Sequence, residues 1–219
     1  MNVRIVVADA THVAFTKCIC EMIHESAKQR GTGIASRTPE YLAQKMRDGK
    51  AVVAIDVNRG HVVGFSYIET WGHGKFVANS GLIVDPDYRY LGLAYKIKKK
   101  IFYLSRKRYP NARIFGITTG QAVMKINSAL GYVPVAFAEL TDDPEFWEGC
   151  KGCRNYDILL RTNHRMCLCT GMLYDPAKHK SLWQKVLDFV RRHNLSAQRL
   201  RFRWWMRKRR QKQKRFLEK

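Results

Sequence analysis

Residues 81–95, GLIVDPDYRYLGLAY, restrict what this chain can fold into more than any other stretch. Gly81 to Val84 have the length and apolar composition of a buried strand. Asp85-Pro86-Asp87 is a turn signal. Beyond Gly92, Ile97, Ile101 and Leu104 recur at helical spacing until Pro110. A strand, a tight turn and a helix start in that order leave the first helical N–H groups without internal partners, at the positive end of the helix dipole. Arg89 adds a fixed cation beside them, and Gly92 permits close approach of the backbone. A phosphate or pyrophosphate suits that shape.

The period of the apolar residues extends this reading along the chain. Residues 3–8 predict a strand, and residues 11–28 a helix carrying Val13, Phe15, Ile19, Met22 and Ile23 on one side. Thr38-Pro39-Glu40 is a helix start, with a capping hydroxyl, proline at the first helical position and an acid in the first turn. That helix runs to about Asp48 and stops at Gly49. Residues 51–57, 62–70 and 76–84 predict three consecutive strands, the first two joined by a turn at Asn58-Arg59-Gly60. A strand at 113–118, a helix at 121–130 and a strand at 132–138 follow the central helix. The order β-α-α-β-β-β-α-β-α-β predicts an α/β protein with a mixed twisted sheet of about six to seven strands flanked by helices.

Charge is placed unevenly. The 219 residues carry a formal net charge of +22. Residues 178–219 hold 16 Lys and Arg against Asp188 and Glu218. Three parts are expected: a core at 1–140, a Cys-rich segment at 141–177 packing on it, and a basic, partly disordered helical extension at 178–219. In that extension Leu182, Val186, Phe189 and Val190 keep helical intervals. Beyond it, residues 197–219 interleave Phe202, Trp204 and Trp205 with Arg and Lys, which suits nucleic acid or an anionic surface as well as a solvated tail. At 46% hydrophobic residues the bulk of the chain is globular. No secretory leader or membrane span is predicted, and the expected location is cytoplasmic.

Arg89-Tyr90-Leu91-Gly92-Leu93-Ala94 resembles the Q/R-x-x-G-x-G/A pyrophosphate loop of the GNAT N-acyltransferases, and Ser128-Ala129-Leu130-Gly131-Tyr132 resembles that family's LGF/LGY element. The resemblance covers roughly residues 1–137 and implies a GNAT fold, an acyl-coenzyme A donor and direct attack of an amine on the thioester. It implies that the pantetheine arm lies along residues 82–84, with Leu82 and Val84 as contacts. The pyrophosphate would sit on the amides of Leu91, Gly92, Leu93 and Ala94 beside Arg89. Tyr90 stands where many members carry a small glycine, and its ring is expected to point outward. Asn127 stands where members often carry a tyrosine that protonates the departing thiolate. An amide cannot donate a proton in that way, so Asn127 is expected only to contact the cofactor, and the adjacent Ser128 and Tyr132, just beyond the turn, are the candidates for the acid. Glu69 and His73 are candidates for the general base, each also readable as an ordinary solvated acid or a turn histidine.

Between the first two helices, Arg30 and Arg37 flank glycines and hydroxyls, a composition able to clamp carboxylates or to form a polar surface loop. Longer runs, among them GTGIASRTPEYL and WGHGKFVANSGLIVDP, resemble a Bacteroidetes-type GNAT subgroup associated with arginine biosynthesis. That resemblance implies acetyl- or succinyl-coenzyme A as donor and glutamate, or a similar small acidic amine, as acceptor; a homodimer is left open. Protein amines, or nucleic acid bound through the tail of a non-catalytic scaffold, are the competing readings.

Cys150-x-x-Cys153 and Cys167-x-Cys169 are separated by thirteen residues. Two close thiol pairs can close a tetrahedral structural zinc site, with free thiols as the alternative. Cys18 and Cys20, two apart on a helix, do not share a face and suit packing.

Overall fold

Residues 51–55 are apolar on both alternating faces, so the strand they form must be covered on both sides. In the computed structural model, which describes residues 2–30, 37–153 and 155–179, this is so. Strand β2 (Ala51–Asp56) is buried throughout. Val53 and Ile55 pack against Ile19 and Ile23 of α1 (Thr16–Arg30) and Leu42 and Met46 of α2 (Pro39–Arg47). Val52 and Ala54 pack on the other side, with Ile97 and Ile101 of α3 (Leu93–Arg108).

Seven strands form one mixed sheet in the order β1-β2-β3-β4-β5-β7-β6. Strands β1 (Val3–Val7), β2, β3 (His61–Trp71) and β4 (Phe76–Val84) run as an antiparallel meander. Helix α3 then carries the chain across to β5 (Arg113–Thr118), which lies parallel to β4. A parallel neighbour needs such a crossover. Helix α4 (Gln121–Ala129), β6 (Val133–Val135), the short helices α5 (Pro144–Glu148) and α6 (Tyr156–Arg161), and β7 (Thr170–Tyr174) complete the order.

Three details differ from the sequence expectation. The expected helix at 11–28 opens with a tighter 3-10 segment, Ala10–Phe15, because Asp9 caps it: its carboxylate accepts from the Thr11 amide while its own amide donates to His12 Nδ1. The expected strand at 132–138 shortens to three residues at the sheet edge, where Pro134 has no amide to donate. The strand β7 was not expected at all; it inserts between β5 and β6 and pairs antiparallel with both. A third cluster forms where β5 and β7 meet α5 and α6, around Phe115, Phe137, Trp147, Leu159 and Leu173.

Residues 1–176 form one compact unit and 177–219 a second, of which residues 177–179 are described. Among the described residues no helix is long and apolar enough to cross a membrane.

Candidate functional site

The site begins at a glycine. Between the pairs Tyr67↔Ser80 and Phe65↔Ile83 the register of β3 and β4 slips, because β4 holds an extra residue there. Gly81 sits in that bulge with φ +63, and a Cβ on it would come within 2.5 Å of the Tyr67 ring. Only glycine fits both demands. The bulge bends β4 away from β5: their pairing ends at Ala78↔Phe115, while β5 continues pairing with β7 as far as Thr118. Between the parted strands lies a cleft of about 580 Å³, lined by Asn79, Ser80 and Leu82 on one side and Gly116, Ile117 and Thr118 on the other.

Beyond the end of β4 the chain turns through residues 85–92 into α3. Tyr90 and Gly92 both have positive φ, 63° and 72°. Alternating left-handed residues point successive amides towards a common side. Among the described residues, nothing accepts from the amides of Leu91, Gly92, Leu93 or Ala94, and no side chain caps α3. A Cβ on Gly92 would meet nothing within 4 Å. The Tyr90 ring is fully exposed, as expected for a side chain pointing outward. Arg89, also exposed, places its Nε 3.4 Å from the Val84 carbonyl oxygen.

A side-chain network faces the cleft from the α1–α2 side of the sheet. Glu69 of β3 is 6% exposed. Its carboxylate accepts from the Tyr41 hydroxyl of α2 and, at 3.0 Å, from the Ser80 hydroxyl of β4. Arg37 donates from Nε to the Tyr67 hydroxyl at 2.7 Å and brings another guanidinium nitrogen to 3.8 Å from Glu69. Its guanidinium also stacks 5.4 Å from the centre of the Tyr41 ring. Burial, together with the Glu69 carboxylate, pushes both Tyr41 and Tyr67 well above the usual phenol range. Both phenols therefore stay neutral, Tyr41 donating to Glu69 and Tyr67 accepting from Arg37, and the charged partners in this wall are Glu69 and Arg37.

At the apex, where β4 leaves β5, a second network lies between sheet and helix. Lys98 of α3 is 2% exposed and donates to the Asn79 carbonyl at 3.4 Å. The Asn79 side chain accepts from the Tyr132 hydroxyl at 2.9 Å and donates to Ser105 at 2.8 Å. Burial raises the Tyr132 phenol well above its ordinary value. Asn127 is buried and lines the cleft, and among the described residues its Oδ1 has no partner.

Cys150, Cys153, Cys167 and Cys169 line the far wall of the cleft together with Phe146 and Tyr156. All four are free thiols. Burial, with the neighbouring thiols, pushes Cys150 up to about 11 and Cys169 up to about 12, so both stay protonated at neutral pH. Among the described residues no three Cys, His, Asp or Glu side chains are placed to hold a metal ion. The structural zinc that the spacing allowed, with free thiols as the other reading, has no counterpart there; Cys150, Cys167 and Cys169 pack instead into the aromatic cluster on β5 and β7.

The structure thus gathers Glu69, Arg37, Leu82 and Asn127 around one cleft. His73 lies in the turn between β3 and β4 with φ +54, apart from the cleft lining. Tyr132 lies behind Asn79 and not on the cleft surface. Val84 is buried in the core below α3. The Arg30 side chain falls outside the described residues.

No protein-family model matches the sequence, and no curated protein does either. Solved structures do. Among them, N-acetylglutamate synthase from Neisseria gonorrhoeae, complexed with coenzyme A and N-acetyl-glutamate, superposes with a TM-score of 0.57 at 16% identity, over 80% of this chain and 35% of that one. A GNAT-family acetyltransferase from Staphylococcus aureus gives 0.57 at 13% identity, over 80% and 99%. This chain has the GNAT fold. A GNAT phosphinothricin acetyltransferase from Sinorhizobium meliloti, in complex with acetyl-CoA, gives 0.53 at 15% identity, over 80% and 89%. The chain spans about a third of the length of the gonococcal synthase.

Within this GNAT fold, the cleft residues that sequence reading did not single out are Tyr41, Tyr67, Asn79, Ser80 and Lys98. One signal was available: Asn79-Ser80-Gly81 interrupts an apolar strand, and a glycine inside a strand pattern marks a bulge or a close approach.

Proposed function

We propose that the chain is a coenzyme A-dependent N-acyltransferase that moves an acetyl or succinyl group to the amino group of a small acidic acceptor, glutamate foremost. The observation that carries this is the pairing of two features: a strand forced open by Gly81, and unpartnered amides at residues 91–94 just beyond that strand's end. A diphosphate satisfies the amides, and an extended arm with peptide-like groups satisfies the main chain of β4 beyond Ala78. The orphaned Oδ1 of Asn127 fits the same ligand, since a buried acceptor without a partner is costly unless a donor arrives.

In this reading each residue has a stated task. Arg37 meets an acceptor carboxylate, a role its fork of donors suits. Glu69, held by Tyr41 and Ser80, takes a proton from the acceptor ammonium so that the nitrogen lone pair is free to attack the thioester carbonyl. The amides at 91–94 and Arg89 anchor the donor so that attack is effectively intramolecular. Glutamate is favoured over a basic amine because the wall offers Arg37, and because the longer sequence runs resemble a glutamate-acylating subgroup. The gonococcal synthase, whose structure holds N-acetyl-glutamate, has the same fold.

Thiol release measured across amino acids with acetyl- and succinyl-coenzyme A tests the proposal. The expected result is turnover with glutamate that exceeds turnover with lysine or neutral amino acids. Coenzyme A binding without any preference for acidic acceptors would remove the acceptor assignment; no binding would remove the transferase. Residues 197–219 lie outside the described residues, and a contact with nucleic acid or an anionic surface rests on their charge. Loss of salt-sensitive RNA or DNA retention on removing residues 178–219, with acyl transfer intact, is the expected outcome.

A further inference from the structure

We propose that Lys98 is the acid that protonates the departing coenzyme A sulphur, the task for which Asn127 is unsuited. This rests on the acyltransferase reading and adds a residue to it. The argument is one of place. The pairing of β4 with β5 ends at Ala78, so Asn79 is the first residue whose main chain faces the opening. The Lys98 amine donates to that carbonyl and lines the cleft at the point of the wedge. An arm threaded between the strands from the amides at 91–94 ends against this apex, with its sulphur and acyl carbon innermost.

The surroundings leave Lys98 ready to give up a proton. Among the described residues no carboxylate pairs with it, and burial alone pushes its amine down to about 7. The titratable groups that face it are few. Tyr132 presents its ring 5.3 Å from Nζ, and Tyr174 stands behind Tyr132. Glu69 lines the same cleft from β3. Tyr132 is a poor alternative acid because its hydroxyl is committed to Asn79 and its phenol holds its proton more tightly than usual. A buried lysine without an anion is costly, so its presence at this spot calls for a task.

The protons balance. The acceptor arrives as an ammonium with three protons and leaves as an amide nitrogen with one. Glu69 passes one proton to solvent. The new C–N bond forms as the C–S bond breaks, and the electron pair of that bond goes to sulphur. Lys98 supplies the proton that makes the thiol, then recovers one from the nitrogen. No oxidant, reductant or further reactant enters.

The ultraviolet absorbance of the coenzyme A thiolate tests this without any acceptor. Free thiols of this kind ionise at about 8.5. With Lys98 beside it, the thiol of bound coenzyme A is expected to be at least tenfold more acidic than free coenzyme A, the two groups titrating as a pair. In Lys98→Met it should return to the free value or above. In the same variant kcat with glutamate should fall about 10²-fold or more, with coenzyme A affinity changed less than threefold. A wild-type protein that binds coenzyme A but leaves its thiol unshifted overturns the Lys98 role alone, and this measurement stands even if the variant fails to fold. Full turnover in a folded Lys98→Met does the same. A wild-type protein that binds no coenzyme A overturns the transferase reading and this one with it.

Discussion

The turn at residues 85–92, which follows β4, and the cleft wall made by Arg37, Tyr41, Tyr67 and Glu69 are built from opposite materials. The turn offers main-chain amides, held by two left-handed residues eight positions or fewer beyond the end of β4. The wall offers side chains drawn from α2, β3 and the residue before the helix cap Thr38. A site of amides tolerates most side-chain changes and fails when its backbone conformation or charge changes. A wall of side chains fails one functional group at a time.

That contrast can be broken by experiment. The largest effect is expected at the wall. Glu69→Gln keeps the shape of the side chain and removes its basicity, so kcat should fall by about 10²–10⁴-fold while coenzyme A affinity, measured by calorimetry, is unchanged. A comparable loss of coenzyme A affinity would show that the wall and the turn are not separate devices.

Next comes the apex between them. Lys98 is held protonated less readily in the fold than in the unfolded chain, because burial lowers its amine to about 7. Between that value and its ordinary one the unfolded chain binds more protons, so this residue makes stability rise with pH. Its cost is complete below pH 7 and fades as pH climbs towards 10. Lys98→Met should therefore stabilise the protein by about 1–4 kcal/mol in urea at pH 6, with the gain shrinking at alkaline pH. A pH-independent gain would mean that the amine is not buried as described.

Smaller effects are expected at the turn, and they separate backbone from side chain. Gly92→Asp keeps a residue type that tolerates the left-handed region but puts a negative charge among the amides. Coenzyme A affinity should weaken roughly tenfold, with turnover at saturation nearly unchanged. Tyr90→Gly removes an exposed ring and relieves a left-handed non-glycine residue. It should raise stability by up to about 1 kcal/mol and leave coenzyme A affinity unaltered. Weakened binding in this variant would place the Tyr90 side chain, and not the main chain, in contact with the ligand.

The difference between the two regions also explains how far sequence reading reached. The turn was legible because everything it needs is contiguous: an apolar strand, Asp85-Pro86-Asp87, Gly92 and a periodic helix. The helix start at Thr38-Pro39-Glu40 was legible for the same reason, and Thr38 does accept from the Tyr41 amide at 3.2 Å. The strand β7 was not, since five residues containing Gly171 carry too short a pattern to declare themselves; Gly171 is there because a Cβ would crowd the Val135 carbonyl at 3.1 Å. Nor was the clustering of the thiols legible beyond their spacing, which left a metal site and free thiols both open; the described residues form no metal arrangement.

Local order along the chain, then, carried the α/β layout and the amide-lined turn, because hydrophobic period, turn chemistry and capping act over a few residues and leave their mark there. The partners of Glu69, the commitment of Tyr132 to Asn79 and the burial of Lys98 came from folding. Those contacts join residues 11 to 53 positions apart. Desolvation and hydrogen bonding at such distances depend on what the sheet brings together, and no short stretch of residues encodes that.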